Sequence, residues 1–167
     1  SSFWNSDAAR IHNIGVSASY LDGTVIPTGH EFSFNQAVGE ISIERGYQEG
    51  YVIAAEQTVE GVGGGVCQVS TTVFRAAFFT GLPITERNPH SYVVGYYEQG
   101  NWPLGFDAAI YQPGVDFRFV NTTDSYMLMH THVIDQHIYV NFYGPDLGYT
   151  VDLGEPVVSS RSEPPPD

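Results

Sequence analysis

The chain has 167 residues, of which 42% are hydrophobic and 14% aromatic, and its formal net charge is −13. These values suit one folded domain with a substantial core, and they exclude a disordered chain. The 19 acidic residues against 6 basic ones argue against nucleic acid or an anionic membrane surface as the partner. The single cysteine excludes an internal disulfide.

The first third of the chain predicts a helix followed by short strands. The helix is expected to begin at Ser6 or Asp7, because both residue types cap helices. Its buried face would be formed by Ile11, Ile14 and Ala18, which recur at helical spacing. The short strands predicted after it are 24–26, 30–34 and 52–55, and the loop-like stretch is 41–51.

A glycine-rich loop then enters a second predicted helix. Four of the residues 61–65 are glycines, and Cys67 follows them. Apolar residues recur at helical spacing from Val69 onward, and Gly81 and Pro83 end the pattern. A cysteine at a helix start is a candidate nucleophile, because unpaired N–H groups and the helix dipole favour a thiolate there. The same pattern also suits a small buried residue in a tight turn.

The second half of the chain predicts further strands and a closing hairpin. The predicted strands are 84–87, 93–97, 115–120, 126–133 and 138–143, with a loop at 99–105 and a turn at 121–124. The expected fold class is therefore α+β, with a mostly antiparallel sheet packed on the central helix whose start carries Cys67. We expect a single domain over residues 1–155 and a Pro-rich tail or linker over 156–167.

Seven short motifs between residues 10 and 143 have a distinctive order and spacing. They are HNI at 12–14, LDGTVI at 21–26, GHEFSFN at 29–35, ERGY at 44–47, GVGGGVCQVS at 61–70, ERNPHS at 86–91 and NTTD at 121–124. In this order they resemble the VanW domain family, named for an accessory protein of a vancomycin-resistance cluster. The resemblance implies an exported or membrane-anchored bacterial protein, and some members are reported as L,D-transpeptidases. The family's cysteine aligns with Cys67 and its motif histidine with His90.

The resemblance implies a cysteine-dependent peptidoglycan acyltransferase of the L,D-transpeptidase type, which forms 3-3 cross-links through a thioester on Cys67. Its partners would be peptidoglycan stem peptides. We expect an extracytoplasmic monomer, tethered to membrane or wall by segments outside this chain, with no cofactor. Two alternatives remain open. One is an NlpC- or papain-like cysteine peptidase on the same stems, and the other is a non-catalytic wall-binding module in which Cys67 only packs.

Three residues are expected to carry the chemistry. Cys67 would attack an amide carbonyl, and His90 would take the thiol proton and then protonate the leaving amine. Asp107 is expected to orient the imidazole, because it lies among apolar residues and a buried carboxylate needs a partner. Glu56, which leads into the glycine loop, is the other candidate for that role. The structural alternatives are a loop histidine bonded only to backbone and an ordinary strand-edge carboxylate.

A second set of residues is expected to bind the oxyanion or the substrate near Cys67. Its members are Glu56, Gly63, Gly64, Gly65, Val66, Gln68, Ser70, Ser91, Tyr92 and Trp102. The amides of the glycine loop and the side chain of Gln68 would face the oxyanion, whereas Ser70 better fits a hydrogen bond within the helix start. Trp102 lies in a Pro/Gly loop and is the aromatic side chain best placed for an exposed substrate contact.

Three histidines late in the chain raise the question of a metal site. His130 and His132 are spaced to share one face of a strand, and His137 follows in the next strand. A zinc site needs further ligands, and the sequence has no second cysteine to supply one. We therefore expect a polar outer face on the closing hairpin and no catalytic metal.

Overall fold

The computed structural model describes residues 1–54 and 57–157. Its α-helices are α1 (Ala8–Leu21), α2 (Phe34–Val38) and α3 (Val66–Thr80). The Asp7 carboxylate caps α1 by accepting a hydrogen bond of 2.8 Å from the amide of Arg10. α3 ends at Gly81, which adopts the left-handed conformation and donates its amide back to the last turn of the helix.

Eight strands form three small antiparallel sheets in the described residues. The strands are β1 (Thr24–Ile26), β2 (Glu31–Ser33), β3 (Glu49–Ala54), β4 (Gln57–Val62), β5 (Ile84–Glu86), β6 (Arg118–Val120), β7 (Met127–Ile134) and β8 (His137–Tyr143). The sheet orders are β1-β7-β8, β2-β6-β5 and β3-β4. The β7–β8 hairpin is the longest pairing, and it aligns His130 with Asn141 and His132 with Tyr139.

The core lies between the two long helices and the sheets. α1 packs on β7, α3 packs on β8, and the two helices contact each other. Ile14 and Val69 on the helices, and Phe119, Met129 and Ile138 on the strands, are completely buried. Because α3 packs on both α1 and β8, its first turn is held at a fixed place in the fold.

The α+β fold class predicted from sequence is confirmed, although the sheet is divided into three. The first helix, strand β1, the central helix and the closing hairpin lie where their patterns predicted them. These elements have strong periodicity and clear turn residues at their ends. Among the described residues, no helix combines the length and the hydrophobicity needed to cross a lipid bilayer.

Other local predictions are wrong or incomplete. The strand predicted at 93–97 is instead a loop with a 3₁₀ turn at Gly95–Tyr97. The stretch expected as a loop at 41–51 contains a 3₁₀ turn at Ile43–Arg45 and the start of β3. α2 and β4 were not predicted, and β6 is shorter than the expected 115–120. Most of the tail predicted at 156–167 lies outside the described residues.

Candidate active site

Cys67 lies in the first turn of α3, in the wall of a cavity. Its side chain is half-buried, and Sγ lies 3.6 Å from the carbonyl oxygen of Ile110. The amides of Val66 and Gln68 donate to the carbonyls of Gly63 and Gly65, whereas no backbone bond outside the regular elements of the described chain engages the amide of Cys67. An anion near Sγ can therefore meet an unpaired N–H group at a helix start.

The loop before Cys67 needs glycine because the chain passes very close to other elements there. Gly65 has a φ of 105°, in the left-handed region. A Cβ added to Gly64 would lie 2.5 Å from the carbonyl oxygen of Tyr51 in β3. Asn13 of α1 donates from Nδ2 to the carbonyl of Gly64 at 3.1 Å. The loop is therefore held between β3 and α1, and the start of α3 is held with it.

His90 lies in the loop after β5, and its side chain is only 3% exposed. Its Nδ1 is hydrogen-bonded to Oδ2 of Asp107, which also accepts the His90 backbone amide at 3.2 Å. The imidazole stacks on the ring of Tyr97, with centroids 4.9 Å apart. The remaining ring nitrogen, Nε2, is buried and has no hydrogen-bond partner within the described part of the chain. The carboxylate thus fixes which nitrogen is left for a reacting group.

Cys67 lies close enough to this imidazole to perturb its ionisation. Burial lowers the pKa of His90, but the hydrogen bond with Asp107 and the proximity of Cys67 outweigh burial and raise it to about 9. Burial raises the pKa of Asp107, yet its hydrogen bonds with His90 and the charges of His90 and Arg87 bring it below its ordinary value. Thiol, imidazole and carboxylate therefore follow one another, an arrangement that can hold a thiolate–imidazolium pair.

Asp107 is positioned by α3, the same helix that begins at the cysteine. Ser70 donates to the carbonyl of Ala108 at 2.6 Å, and the amide of Ala108 donates to Oγ1 of Thr71 at 3.1 Å. From the other side, Nε of Arg87 donates to the carbonyl of Asp107 at 2.7 Å. The helix start and the carboxylate therefore belong to one hydrogen-bonded unit.

Arg75 ties α3 to the two loops that surround His90. Its guanidinium donates to the carbonyl of Phe106 at 3.0 Å and to that of Tyr97 at 2.5 Å. It also lies 4.5 Å from the ring centroid of Trp102. Burial lowers the pKa of Arg75 to about 10, against the opposing charge of Asp107, so the guanidinium stays charged at neutral pH. Arg75 thereby holds the tyrosine on which the imidazole stacks.

Cys67 and His90 share the wall of a cavity of ≈ 260 Å³. The rest of the wall is formed by α1, the β3–β4 hairpin, the glycine loop and the segments at 96–97 and 110–112. A neighbouring cavity of ≈ 510 Å³ shares the residues Arg10, Tyr51, Val52 and Tyr96 with the first. Together these two cavities have the size of a small-ligand site, and apolar, aromatic and charged groups line them.

Comparison with known proteins identifies the family. The family described as VanW like protein matches residues 9–143. The chain belongs to the VanW family. The resemblance seen in the sequence motifs is thereby confirmed.

Two curated VanW-family relatives show how much of a longer protein this chain represents. Uncharacterized protein YoaR of Bacillus subtilis (strain 168) is 37% identical over 145 residues, which cover 87% of this chain and 46% of that protein. Vancomycin B-type resistance protein VanW of Enterococcus faecalis (strain ATCC 700802 / V583) is 31% identical over 117 residues, or 69% of this chain and 42% of that protein. The chain thus spans less than half the length of these relatives. No solved structure matches it.

The structure brings together a large part of the site predicted for this VanW-family chain. Cys67, His90 and the segment 63–66 line one cavity, and Asp107 holds the imidazole. Ser91 and Tyr92 line an adjacent cavity of ≈ 160 Å³ beside His90. Glu56, the other candidate for orienting the histidine, lies outside the described residues. The chemical roles of all these residues remain predictions.

Two of the expected substrate contacts, Gln68 and Trp102, have partners within the fold. The Gln68 amide donates from Nε2 to Oγ of Ser1 at 3.0 Å and to the carbonyl of Ser2 at 2.5 Å, so its N–H groups do not face an oxyanion. Trp102 stacks on Phe106 with ring centroids 5.7 Å apart. It packs against the aromatic core and is absent from the wall of the cavity that contains Cys67.

Ser70 and the late histidines also have structural contacts. Ser70 is completely buried, and its hydroxyl can donate to the carbonyl of Cys67 at 3.0 Å, a hydrogen bond within the helix start as expected, or to that of Ala108. His130 lies 2.7 Å from a carboxylate oxygen of Asp22, and its ring stacks on that of His132. Over residues 1–54 and 57–157, no group of three or more His, Cys, Asp or Glu is arranged to hold a metal ion.

Arg10 and Tyr97 line the cavity that contains Cys67, and neither was among the predicted site residues. Arg10 lines both cavities, but its side-chain partner Gln68 is 58 positions away along the chain. Tyr97 was placed in a strand, and nothing local indicates that its ring stacks on His90. Arg10 lies one helical turn before Ile14 of the buried face, so helical spacing alone does not distinguish it from a core position.

Proposed function

We propose that this chain is a cysteine acyltransferase of the bacterial cell wall, of the L,D-transpeptidase type. The observation that carries the proposal is the succession of Cys67, His90 and Asp107, of which Cys67 and His90 line a ligand-sized cavity and Asp107 holds the imidazole from behind. VanW-family membership suggests a role related to the cell wall, and one relative is named as a vancomycin resistance protein. The proposed substrates are peptidoglycan stem peptides, which implies an extracytoplasmic site of action.

In the first half-reaction, the Cys67 thiolate attacks the carbonyl carbon that joins the third stem residue to a terminal D-alanine. The carbonyl oxygen becomes an oxyanion, which the amide of Cys67 in the first turn of α3 can stabilise. The C–N bond then breaks, and Nε2 of the His90 imidazolium gives its proton to the leaving amine. The products are D-alanine and a thioester on Cys67.

In the second half-reaction, the side-chain amine on the third residue of another stem attacks the thioester. The new C–N bond forms, the C–S bond breaks, and neutral His90 takes the proton that the amine loses. The thiolate–imidazolium pair is thereby restored. Asp107 stays ionised throughout, because it holds the imidazole by its other nitrogen and stabilises the imidazolium.

Cys67 and His90 do not by themselves determine whether an amine or water attacks the thioester. If water attacks the thioester, the same residues perform the hydrolysis of a papain-like peptidase. Product analysis separates the two reactions, since a transpeptidase yields cross-linked dimers and a peptidase yields shortened stems. A non-catalytic wall-binding module forms neither product.

The direct test is the intact mass of the protein after incubation with a disaccharide-tetrapeptide. Wild type is expected to gain the mass of the stem minus D-alanine, and Cys67→Ser and His90→Ala are expected not to accumulate that thioester. His30→Ala is a matched control, because His30 is exposed and its ring is hydrogen-bonded to the carbonyl of Thr28, outside the cavity that contains Cys67. Absence of an adduct and of D-alanine release from wild type would reject the enzyme proposal in favour of the binding module.

A further inference from the structure

One arginine lies between the two cavities beside the candidate active site. Arg10 of α1 lines the cavity that contains Cys67 and His90, and it also lines the neighbouring cavity of ≈ 510 Å³. No other arginine is among the described residues that line these two cavities. A ligand that extends from Cys67 into the second cavity therefore passes its guanidinium.

Arg10 has no carboxylate partner among the described residues, although the chain as a whole is strongly acidic. Its Nη2 donates to Oε1 of Gln68 at 2.6 Å, and its guanidinium lies 4.6 Å from the ring centroid of Tyr96. The nearest acidic group along the helix, Asp7, is used as the α1 cap through the backbone amide of Arg10. The guanidinium thus keeps donors that a ligand can occupy.

The contacts of Arg10 also fix its position. Because Nε2 of Gln68 donates to Ser1 and Ser2, its Oε1 is the atom left to face Arg10. The aliphatic part of Arg10 passes Gly65 so closely that a Cβ there would lie 3.0 Å from its Cγ. The fork geometry of a guanidinium matches a carboxylate, and a pre-positioned fork loses little entropy on binding one.

The location relative to Cys67 defines where that carboxylate must be. Gln68 follows Cys67 directly in the first turn of α3, and Arg10 binds its side chain. Since one peptide residue spans roughly 3.3–3.6 Å, a group bound by Arg10 lies within a few residues of the carbonyl attacked by Cys67.

We propose that Arg10 is a specificity-determining residue of this site, and that it binds a free carboxylate of the acyl-donor peptide close to the scissile bond. This inference rests on the proposed function and deepens it. The carboxylate comes either from the C-terminus of the residue that leaves or from a carboxyl group further back in the stem. Gln68 acts as a positioning residue, because it holds the guanidinium without neutralising it.

The test measures binding rather than turnover, so that it does not depend on catalysis. Isothermal titration is performed on the full chain carrying Cys67→Ala, with Arg10 intact or changed to Met or Lys. The probes are a disaccharide-tetrapeptide with all carboxylates free, the same peptide with a C-terminal amide, and the same peptide with its internal carboxyl groups amidated. Arg45→Met is the matched control, because Arg45 also lies over a tyrosine ring and donates to a neutral oxygen, the carbonyl of Val38, away from the cavities.

Arg10→Met is expected to weaken binding of the free peptide by about 10- to 100-fold, because it removes a hydrogen-bonded charge. Arg10→Lys is expected to weaken binding by less, because it keeps the charge and loses only the two-pronged hydrogen bonding of the guanidinium. One amidated probe should bind weakly to the parent protein and be insensitive to Arg10→Met. That probe identifies which carboxylate is bound. Arg45→Met should leave all affinities unchanged.

The outcomes separate this inference from the proposed function. Equal binding of all three probes, unaffected by Arg10→Met, would overturn the role of Arg10 and leave the enzyme proposal standing. An equal loss for every probe would also overturn it, because Arg10 would then be only a structural support for Gln68 and Tyr96. Failure of every probe to bind the parent protein, with an unchanged thermal unfolding midpoint, would reject the proposed function together with the inference.

Discussion

Two buried aspartates in this protein have opposite kinds of surroundings. Asp116 is 3% exposed and accepts hydrogen bonds from Oγ of Ser33 at 2.5 Å and from the amides of Asn35 and Phe117 at 2.9 and 2.8 Å. It also forms an ion pair of 3.0 Å with Nε of Arg118. All of these partners belong to the folded scaffold, so the network around Asp116 is closed.

Asp107 is 5% exposed, and its main side-chain partner is an imidazole rather than a set of backbone amides. That imidazole leaves its second nitrogen buried and unbonded within the described residues, on the side of Cys67. Arg87 lies 3.8 Å from the other carboxylate oxygen, and its charge lowers the pKa of Asp107 only in part. The network around Asp107 therefore ends at a cavity, which is typical of a site that accepts a ligand or a proton.

The largest expected effect comes from exchanging each aspartate for asparagine. Asp116→Asn should cost roughly 3 kcal/mol in the free energy of unfolding, because its amide group would meet N–H donors that now bind a carboxylate. Acyl transfer per folded molecule should stay near that of wild type. Asp107→Asn should reduce acyl transfer by about 10²- to 10⁴-fold, because an asparagine no longer fixes the imidazole tautomer or stabilises its charge.

These two variants are compared by urea unfolding and by the rate of thioester formation in the intact-mass assay. The functional role of Asp107 is contradicted if both variants lose stability and neither loses activity per folded molecule. It is also contradicted if Asp116→Asn, folded and soluble, is as inactive as Asp107→Asn. Either result would mean that the open network around Asp107 is structural.

Cys67 and Asp107 could be predicted as site residues because each has a recognisable local sequence pattern. Cys67 stands at the boundary between a glycine loop and a periodic helix, and Asp107 stands among apolar residues that need its charge to be paired. The loop at 93–97 was mistaken for a strand because Val93 and Val94 are apolar, although Val93 is 65% exposed in the structure. Strand β4 was not predicted because its apolar residues, Val59 and Val62, are three positions apart and do not alternate, and because Gly61 lies between them.

The residues that sequence could not place have partners far away along the chain. A Cβ on Gly61 would lie 2.7 Å from Cγ2 of Val52, so that glycine is required by a strand pairing and not by a loop. Arg10 meets Gln68 and Tyr96 only in the folded chain. Such contacts leave no periodic or local signature, since they depend on how the helices and loops are brought together.

A smaller effect is expected in the pH dependence of stability. The pKa of His90 rises from 6.5 to about 9 on folding, so the folded chain keeps a proton that the unfolded chain releases between these values. The resulting stabilisation, on the order of 3 kcal/mol, is complete below pH 6.5 and is lost as the pH rises through 9. The free energy of unfolding of wild type relative to His90→Gln should therefore fall between pH 6 and pH 9.5.

Denaturant unfolding at a series of pH values provides this measurement. Cys67→Ser should flatten the dependence in part, because Cys67 contributes to the raised pKa of His90 after Asp107 does. Asp107→Asn should flatten it more. A difference between wild type and His90→Gln that stays constant over this range would show that folding is not accompanied by net proton uptake at His90, and the stabilisation predicted here would be rejected.

The smallest expected effect comes from removing the hydrogen bond that joins Ser70 of α3 to Ala108, the residue next to Asp107. Ser70→Ala removes the hydroxyl that donates to the carbonyl of Ala108, and Thr71 offers that carbonyl only a long contact of 3.4 Å. The cost in unfolding free energy should be about 1 kcal/mol. Ser19→Ala is a matched control, because its hydroxyl bonds only a carbonyl within α1 and is exposed to solvent.

The informative measurements are the rate of thioester formation and the pH at which the stabilisation by His90 is lost, rather than the free energy of unfolding alone. If Ser70 holds Asp107 in register with Cys67, Ser70→Ala should slow thioester formation several-fold and lower the pH at which the stabilisation by His90 disappears, since a displaced carboxylate supports the imidazolium less well. Ser19→Ala should change neither. Equal losses of stability in the two serine variants, with the His90 transition unmoved, would show that α3 carries Cys67 without also positioning Asp107, and the hydrogen-bonded unit would then begin at Arg87 instead.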